Sequence, residues 1–108
     1  MLTEKLILVT TTAASAALTQ QRLVNYAGGV CGAGLRALGV ANANYDSGEQ
    51  AGVKVSGEIL VEAGAAIAQG VEVESNASGQ VITKSAGIVV GVARDAATAA
   101  GQIIRIVR

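Results

Sequence analysis

Short aliphatic runs, each closed by a cluster of Gly, Asn, Asp or Ser, constrain this chain more than any other feature. In the clearest, Val53–Val61, alternation assigns Val53, Val55, Ile59 and Val61 to one side and Lys54, Ser56, Glu58 and Glu62 to the other. A period of two means a strand with one covered face, because successive side chains leave a strand on opposite sides. Gly57 interrupts this run and predicts a bend or bulge. Val71–Ser75 and Gln80–Lys84 flank Asn76-Ala77-Ser78-Gly79 and predict a hairpin. Strands are also expected over Thr3–Thr12, Gln20–Tyr26, Leu35–Ala43, Ile88–Ala93 and Gln102–Val107. Asn44–Gly48 and Ala63–Gly70 read as turns. Thr11–Leu18, rich in Ala and Ser, allows one short helix or an arm laid across another surface. So many turns between short strands imply an all-β fold, a small barrel or a sandwich.

At 108 residues the chain makes one domain. The expected division is an N-terminal strand or arm, 1–18, and a single β domain, 19–108. Its large aliphatics are 14 Val, 8 Ile and 8 Leu, with no Phe or Trp to add a wide ring. The rest leans on 21 Ala and 14 Gly, and glycine loses the most freedom on folding. A core of this kind is modest alone, so burial against a partner is the simplest further source of stability. Leu6-Ile7-Leu8-Val9 is apolar on both faces and is expected to be covered on both. The last strand has the same pattern, with Ile103 and Val107 opposite Ile104 and Ile106. These eight residues are the candidate contact surface, whose bland alternative is a central strand in the chain's own core.

An internal echo is also present. Leu38-Gly39-Val40-Ala41, a loop, and Gly52-Val53-Lys54-Val55 resemble Val90-Gly91-Val92-Ala93, a loop, and Gly101-Gln102-Ile103-Ile104. In this alignment the second loop is three residues shorter. Two copies are too few for a solenoid and suit a small pseudo-symmetric barrel.

Most chemistry is excluded by what is missing. There is no His, and the one Cys, Cys31, has no base to activate it, so it reads as a small apolar residue. No metal or cofactor site is expected: the acids are scattered, and Glu72 and Glu74 read as a solvated strand face rather than a calcium site. Gly32-Ala33-Gly34-Leu35-Arg36-Ala37 matches a dinucleotide-binding pattern in letters only, since Gly39-Val40 leaves no room for the helix that would meet a pyrophosphate. Eight Lys/Arg balance eight Asp/Glu with no basic block, so neither nucleic acid nor a membrane is an expected partner. Lys5 ahead of Leu6–Val9 imitates a signal peptide, yet the apolar run is short of the usual ~7–15 residues. Asn76-Ala77-Ser78 is a formal glycosylation sequon that turn chemistry explains. Lys84 stands at the far end of its hairpin, away from the tip where biotinyl and lipoyl carriers present their lysine. No enzyme is expected.

The stretch from Gly52 to Arg108 resembles the small capsid cement, or head decoration, proteins of tailed bacteriophages and prophages. The residues that carry this are Val55-Ser56-Gly57, Val61–Gly70, Val71-Glu72-Val73, Gly79–Thr83, Ile88–Ala93 and Ile103–Val107. The resemblance implies a small β-barrel or β-tulip-like domain with an extended N-terminal segment and no catalytic residues. It also implies a homotrimer, made in the host cytoplasm, that binds the outside of a head and braces the major capsid protein shell in the virion. The competing reading is a small-ligand or glycan-binding β-module, for which two Tyr, Tyr26 and Tyr45, are a thin aromatic supply.

Overall fold

A computed structural model describes residues 2–108, so that Met1 of the expected 1–18 segment lies outside the described residues. Among them are eight strands and no helix: β1 (Lys5–Ala13), β2 (Leu23–Val24), β3 (Gly39–Ala41), β4 (Gln50–Glu62), β5 (Glu72–Ser75), β6 (Val81–Thr83), β7 (Gly91–Ala93) and β8 (Ile103–Val107). They form one antiparallel sheet in the order β2-β3-β4-β8-β7-β5-β6, with β1 added on β4. Lys54 pairs with both Val9 and Val40, and Glu58 with both Lys5 and Val107. β1 therefore holds one edge of β4, while β3 and β8 share the other. The two ends of the sheet approach each other where the Leu23 N–H donates to Gly79 C=O and Ala63 bridges Val81. The result is a sheet nearly closed into a barrel. The expected hairpin is β5–β6, and Thr11–Leu18 is not helical, because β1 runs on to Ala13 and Leu18 bridges Tyr45.

The faint sequence echo is a structural duplication. Ala13–Gln50 through Val9–Lys54 in β1 and β4 correspond to Glu62–Ile103 through Glu58–Val107 in β4 and β8. Val24–Gly39 corresponds to Val73–Gly91, and the Leu18–Tyr45 bridge to the Ile67–Ala97 bridge. The loops follow: the Gln21 N–H donates to Ala41 C=O, and the Gly70 N–H to Ala93 C=O. Both donors are left-handed, Gln21 at φ 66° and Gly70 at φ 84°. One repeat therefore places a glutamine where the other has the residue that prefers such a backbone. The pairing moves the alignment: Ala41 opposite Val53 matches Ala93 opposite Ile106. Gly52 thus corresponds to Arg105 rather than to Gly101, and the second loop is one residue longer, not three shorter. β4 belongs to both repeats, ending one and beginning the next.

The buried apolar residues form two clusters, and the second and larger also draws Leu23, Cys31, Ala37 and Val40 from the first repeat. Ala14, Leu18, Val24, Ala41, Ala51 and Val53 fill the first; their counterparts Ala63, Ile67, Val73, Ala93, Ile104 and Ile106 lie in the second. This corrects the expectation for Val53–Val61. Val53 and Val55 pack in the first cluster, whereas Ile59 and Val61 pack in the second. The physical reason lies at Gly57: φ is +117°, and the β1–β4 register slips between Leu6 and Leu8 and again between Leu8 and Val9. Such slips re-aim side chains in a way that letter alternation does not record. Lys54, expected on the solvated side, is only 2% exposed. Its Nζ donates to Glu4 Oε1 at 2.8 Å, Gln21 Oε1 at 2.5 Å and Leu60 C=O at 3.3 Å, so the buried ammonium is satisfied and pins the approach to β1.

In the second repeat Arg105 grips Asp95 bidentately, Nε to Oδ2 and Nη2 to Oδ1 both at 2.8 Å, and its N–H adds a third bond at 3.0 Å. Hydrogen bonding from the guanidinium holds the Asp95 carboxyl at about 2, below its usual 3.8. A depressed carboxyl stabilises the fold above its unfolded value and loses that contribution as pH falls through its folded value. The urea midpoint is accordingly expected to drop as pH falls from about 4 to about 2. Asp95→Asn should flatten this part of the profile; an unchanged slope would show the pair to be without weight.

Candidate interaction surface

β1 pairs with β4 along one edge, and its other edge is unpaired among the described residues. Leu6, Ile7, Leu8 and Val9 are all exposed, Ile7 at 83%. The expected cover on both faces is thus absent within the chain. Ile7 stands at the register slip between Leu6 and Leu8, where β1 carries one residue more than β4, and this turns it outward. The duplication makes the pattern informative. Val9 holds the place that Glu58 holds in the second repeat, and Val55-Ser56-Gly57 precede Glu58 as Leu6-Ile7-Leu8 precede Val9. The internal strand carries Ser, Gly and Glu, whereas its exposed counterpart carries four aliphatics in a row. Folding demands the reverse, since a long exposed apolar edge invites pairing with another chain.

β8 divides the remaining candidates. Ile104 and Ile106 are buried in the chain's own second cluster, while Ile103 and Val107 are exposed. The structure brings Ile7 and Val107 together: both line a shallow groove of about 260 Å³ with Lys5, Gly57, Glu58 and Arg108. A cross-strand row runs through it, Lys5–Glu58–Val107–Val92–Glu72, with Val92 and Val107 exposed side by side. Arg94 Nε binds Glu58 Oε1 at 2.8 Å at the side of this row. Arg108 turns back inward, Nη2 donating to Ala37 C=O at 3.1 Å, and burial lowers its pKa. The sequence reveals the aliphatic content of this surface. Gly57 signals the irregularity, but which residue it turns outward, Ile7, and the meeting of Ile7 with Val107 have no local signal, because they depend on register across three strands.

The other sequence candidates resolve into structure. Cys31 is buried, with Sγ near the carbonyls of Gly32 and Leu35, and burial raises its pKa from 9.0. Gly32–Ala37 lies in neither strand nor helix. Asn76 Oδ1 accepts from the Ser78 and Gln80 N–H groups, which is a turn-forming role. Glu72 and Glu74 are not one solvated face: Glu72 is exposed, whereas Glu74 is buried and accepts the Ser85 and Gly87 N–H groups at Oε1. Among the described residues no three potential metal ligands converge. The surface that remains offers shape, apolar area and free strand edge, which is the equipment for association.

The backbone is similar to the crystal structure of the head fiber gp8.5 N base of bacteriophage phi29. The TM-score is 0.78 at 22% identity, over 93% of this chain and 92% of that one. That likeness shows the fold. No curated protein sequence matches the chain. A family model described as phage cement protein matches residues 2–108, both repeats and every strand of the sheet. The chain with the apolar free edge therefore belongs to the phage cement proteins.

Proposed function

We propose that this cement protein binds the outer surface of a phage head and braces the major capsid protein shell, acting as a homotrimer through noncovalent contacts alone. The observation that carries the reading is β1, a nine-residue strand with an unpaired edge and four exposed aliphatics. Strand addition to such an edge supplies backbone hydrogen bonds, and burial of Leu6, Ile7, Leu8 and Val9 supplies the apolar component. Ile103 and Val107 extend this surface. Ile104 and Ile106, already in the core, hold the strand that presents them. Within this reading 19–108 is the body, and the 1–18 segment is the contact-making part, rooted in the body by Ala14 and Leu18. Catalysis, nucleic acid and membrane have no part in it. The protein is made in the host cytoplasm and ends on the virion.

Cement contacts repeat over a symmetric lattice, so modest individual affinities give firm attachment. Cosedimentation is expected with expanded heads and not with unexpanded precursors. Light scattering of the free protein is expected to give the mass of a trimer. A folded monomer that binds no assembled shell would overturn the proposal.

A further inference from the structure

A second feature lies elsewhere on the chain, where the 84–87 loop meets the loop around Gly34. Here Glu74 is only 7% exposed and lines a cavity of about 330 Å³ with Ala33, Gly34, Ala86 and Gly87. Its Oε1 accepts the Ser85 and Gly87 N–H groups, while Oε2 accepts no hydrogen bond from the described residues. The described ion pairs join Arg22–Glu62, Lys54–Glu4, Arg94–Glu58 and Arg105–Asp95, and none of them reaches Glu74. Lys84, the neighbouring cation in sequence, sends its Nζ to the Ser85 carbonyl instead. Oε2 is not fully enclosed, so it opens to the cavity and is free to take a partner that the chain itself does not supply.

The duplication shows that the fold does not require a charge at this position. Asn25 follows Val24 as Glu74 follows Val73, and Val24 and Val73 occupy matching places. Asn25 Oδ1 accepts the Ala27 and Gly29 N–H groups at 2.9 Å each, so a neutral amide organises that turn unaided. The second repeat replaces it by an acid and leaves space beside it. A Cβ on Gly87 would collide with Glu74 Oε2 and with Gly34 Cα, so glycine there lets the loop backbone close against the carboxylate and form one wall of the cavity. One carboxylate without further ligands does not suit a divalent metal, which wants several oxygens. A small-walled cavity with one carboxylate suits a single cationic head on an apolar stem.

We propose that this cavity binds one basic side chain of a protein partner, its ammonium or guanidinium group paired with Glu74 Oε2. The site is distinct from β1, and it stands or falls independently of shell binding. The probe is N-acetyl-lysine methylamide, titrated into the 15N-labelled protein, with N-acetyl-norleucine methylamide as the neutral isostere. Saturable shifts are expected at the amides of Gly34, Ser85 and Gly87 with the lysine compound alone. Glu74→Gln should weaken binding at least about tenfold, as loss of a charge-assisted hydrogen bond does. Ala86→Leu, at an exposed rim position, should do so by filling the cavity with Glu74 intact, which keeps the test valid if the Glu74 variant fails to fold. Equal shifts with norleucine, no saturable shift, or binding that survives Ala86→Leu would overturn the proposal.

Discussion

Ile106→Ala is expected to destabilise the free protein by about 2–5 kcal/mol, lowering Tm by roughly 10–20 °C. Ile106 is 0% exposed, lies in the second apolar cluster and pairs with Ile59 in β4 and Ala93 in β7. Truncation there loses the transfer free energy of the removed methyl groups and leaves a cavity between three strands, which the paired backbones cannot close. The second cluster holds no aromatic residue whose ring could swing into the space. Val107→Ala, one residue on, should change Tm by only a few degrees, because Val107 is exposed. Thermal unfolding followed by circular dichroism checks both. Similar losses from the two substitutions would mean that β8 does not divide its side chains between core and surface.

That division marks the limit of what the sequence reveals. Ile103, Ile104, Ile106 and Val107 are four aliphatics around Arg105, and letters alone do not say which pair faces in. The decision comes from pairing with β4 and β7, a property of register across strands. The all-β class, the β5–β6 hairpin and the Gly57 irregularity were legible because turn residues and alternation act locally. Lys54 departs from its sequence expectation for a related reason. Its long polar side chain signals solvent, yet Glu4, Gln21 and Leu60, distant in sequence, meet to satisfy it. The duplication was legible at Gly39-Val40-Ala41 and Gly91-Val92-Ala93, where the letters coincide. The letters do not align the next strand, because Val53 and Ile106 share a place without a shared motif. Glu74 shows the same limit: its strand letters read as an exposed face, and only the 84–87 loop folding back makes it buried.

Ile7→Lys combined with Leu8→Lys is expected to abolish head binding while leaving the fold intact. Both side chains are exposed in the free protein, so their loss touches neither apolar cluster, and surface changes of this kind usually stay within about 0.5 kcal/mol. On a shell the balance is different. Each aliphatic covered on binding contributes up to about 1.5–3 kcal/mol, and each introduced ammonium would have to be buried without a partner. Lysine is also what natural edge strands use to repel an incoming strand. A loss of about 3 kcal/mol per contact is more than a hundredfold in affinity, and a lattice of such contacts multiplies the effect. Leu35→Lys supplies the control, since Leu35 is an exposed aliphatic outside every strand. Cosedimentation with expanded heads should fail for the double variant and persist for the control, with matching circular dichroism spectra. Retention of the double variant on heads would remove β1 from the contact surface and transfer the role to the outward face of β7 and β8, where Val92 and Val107 lie side by side.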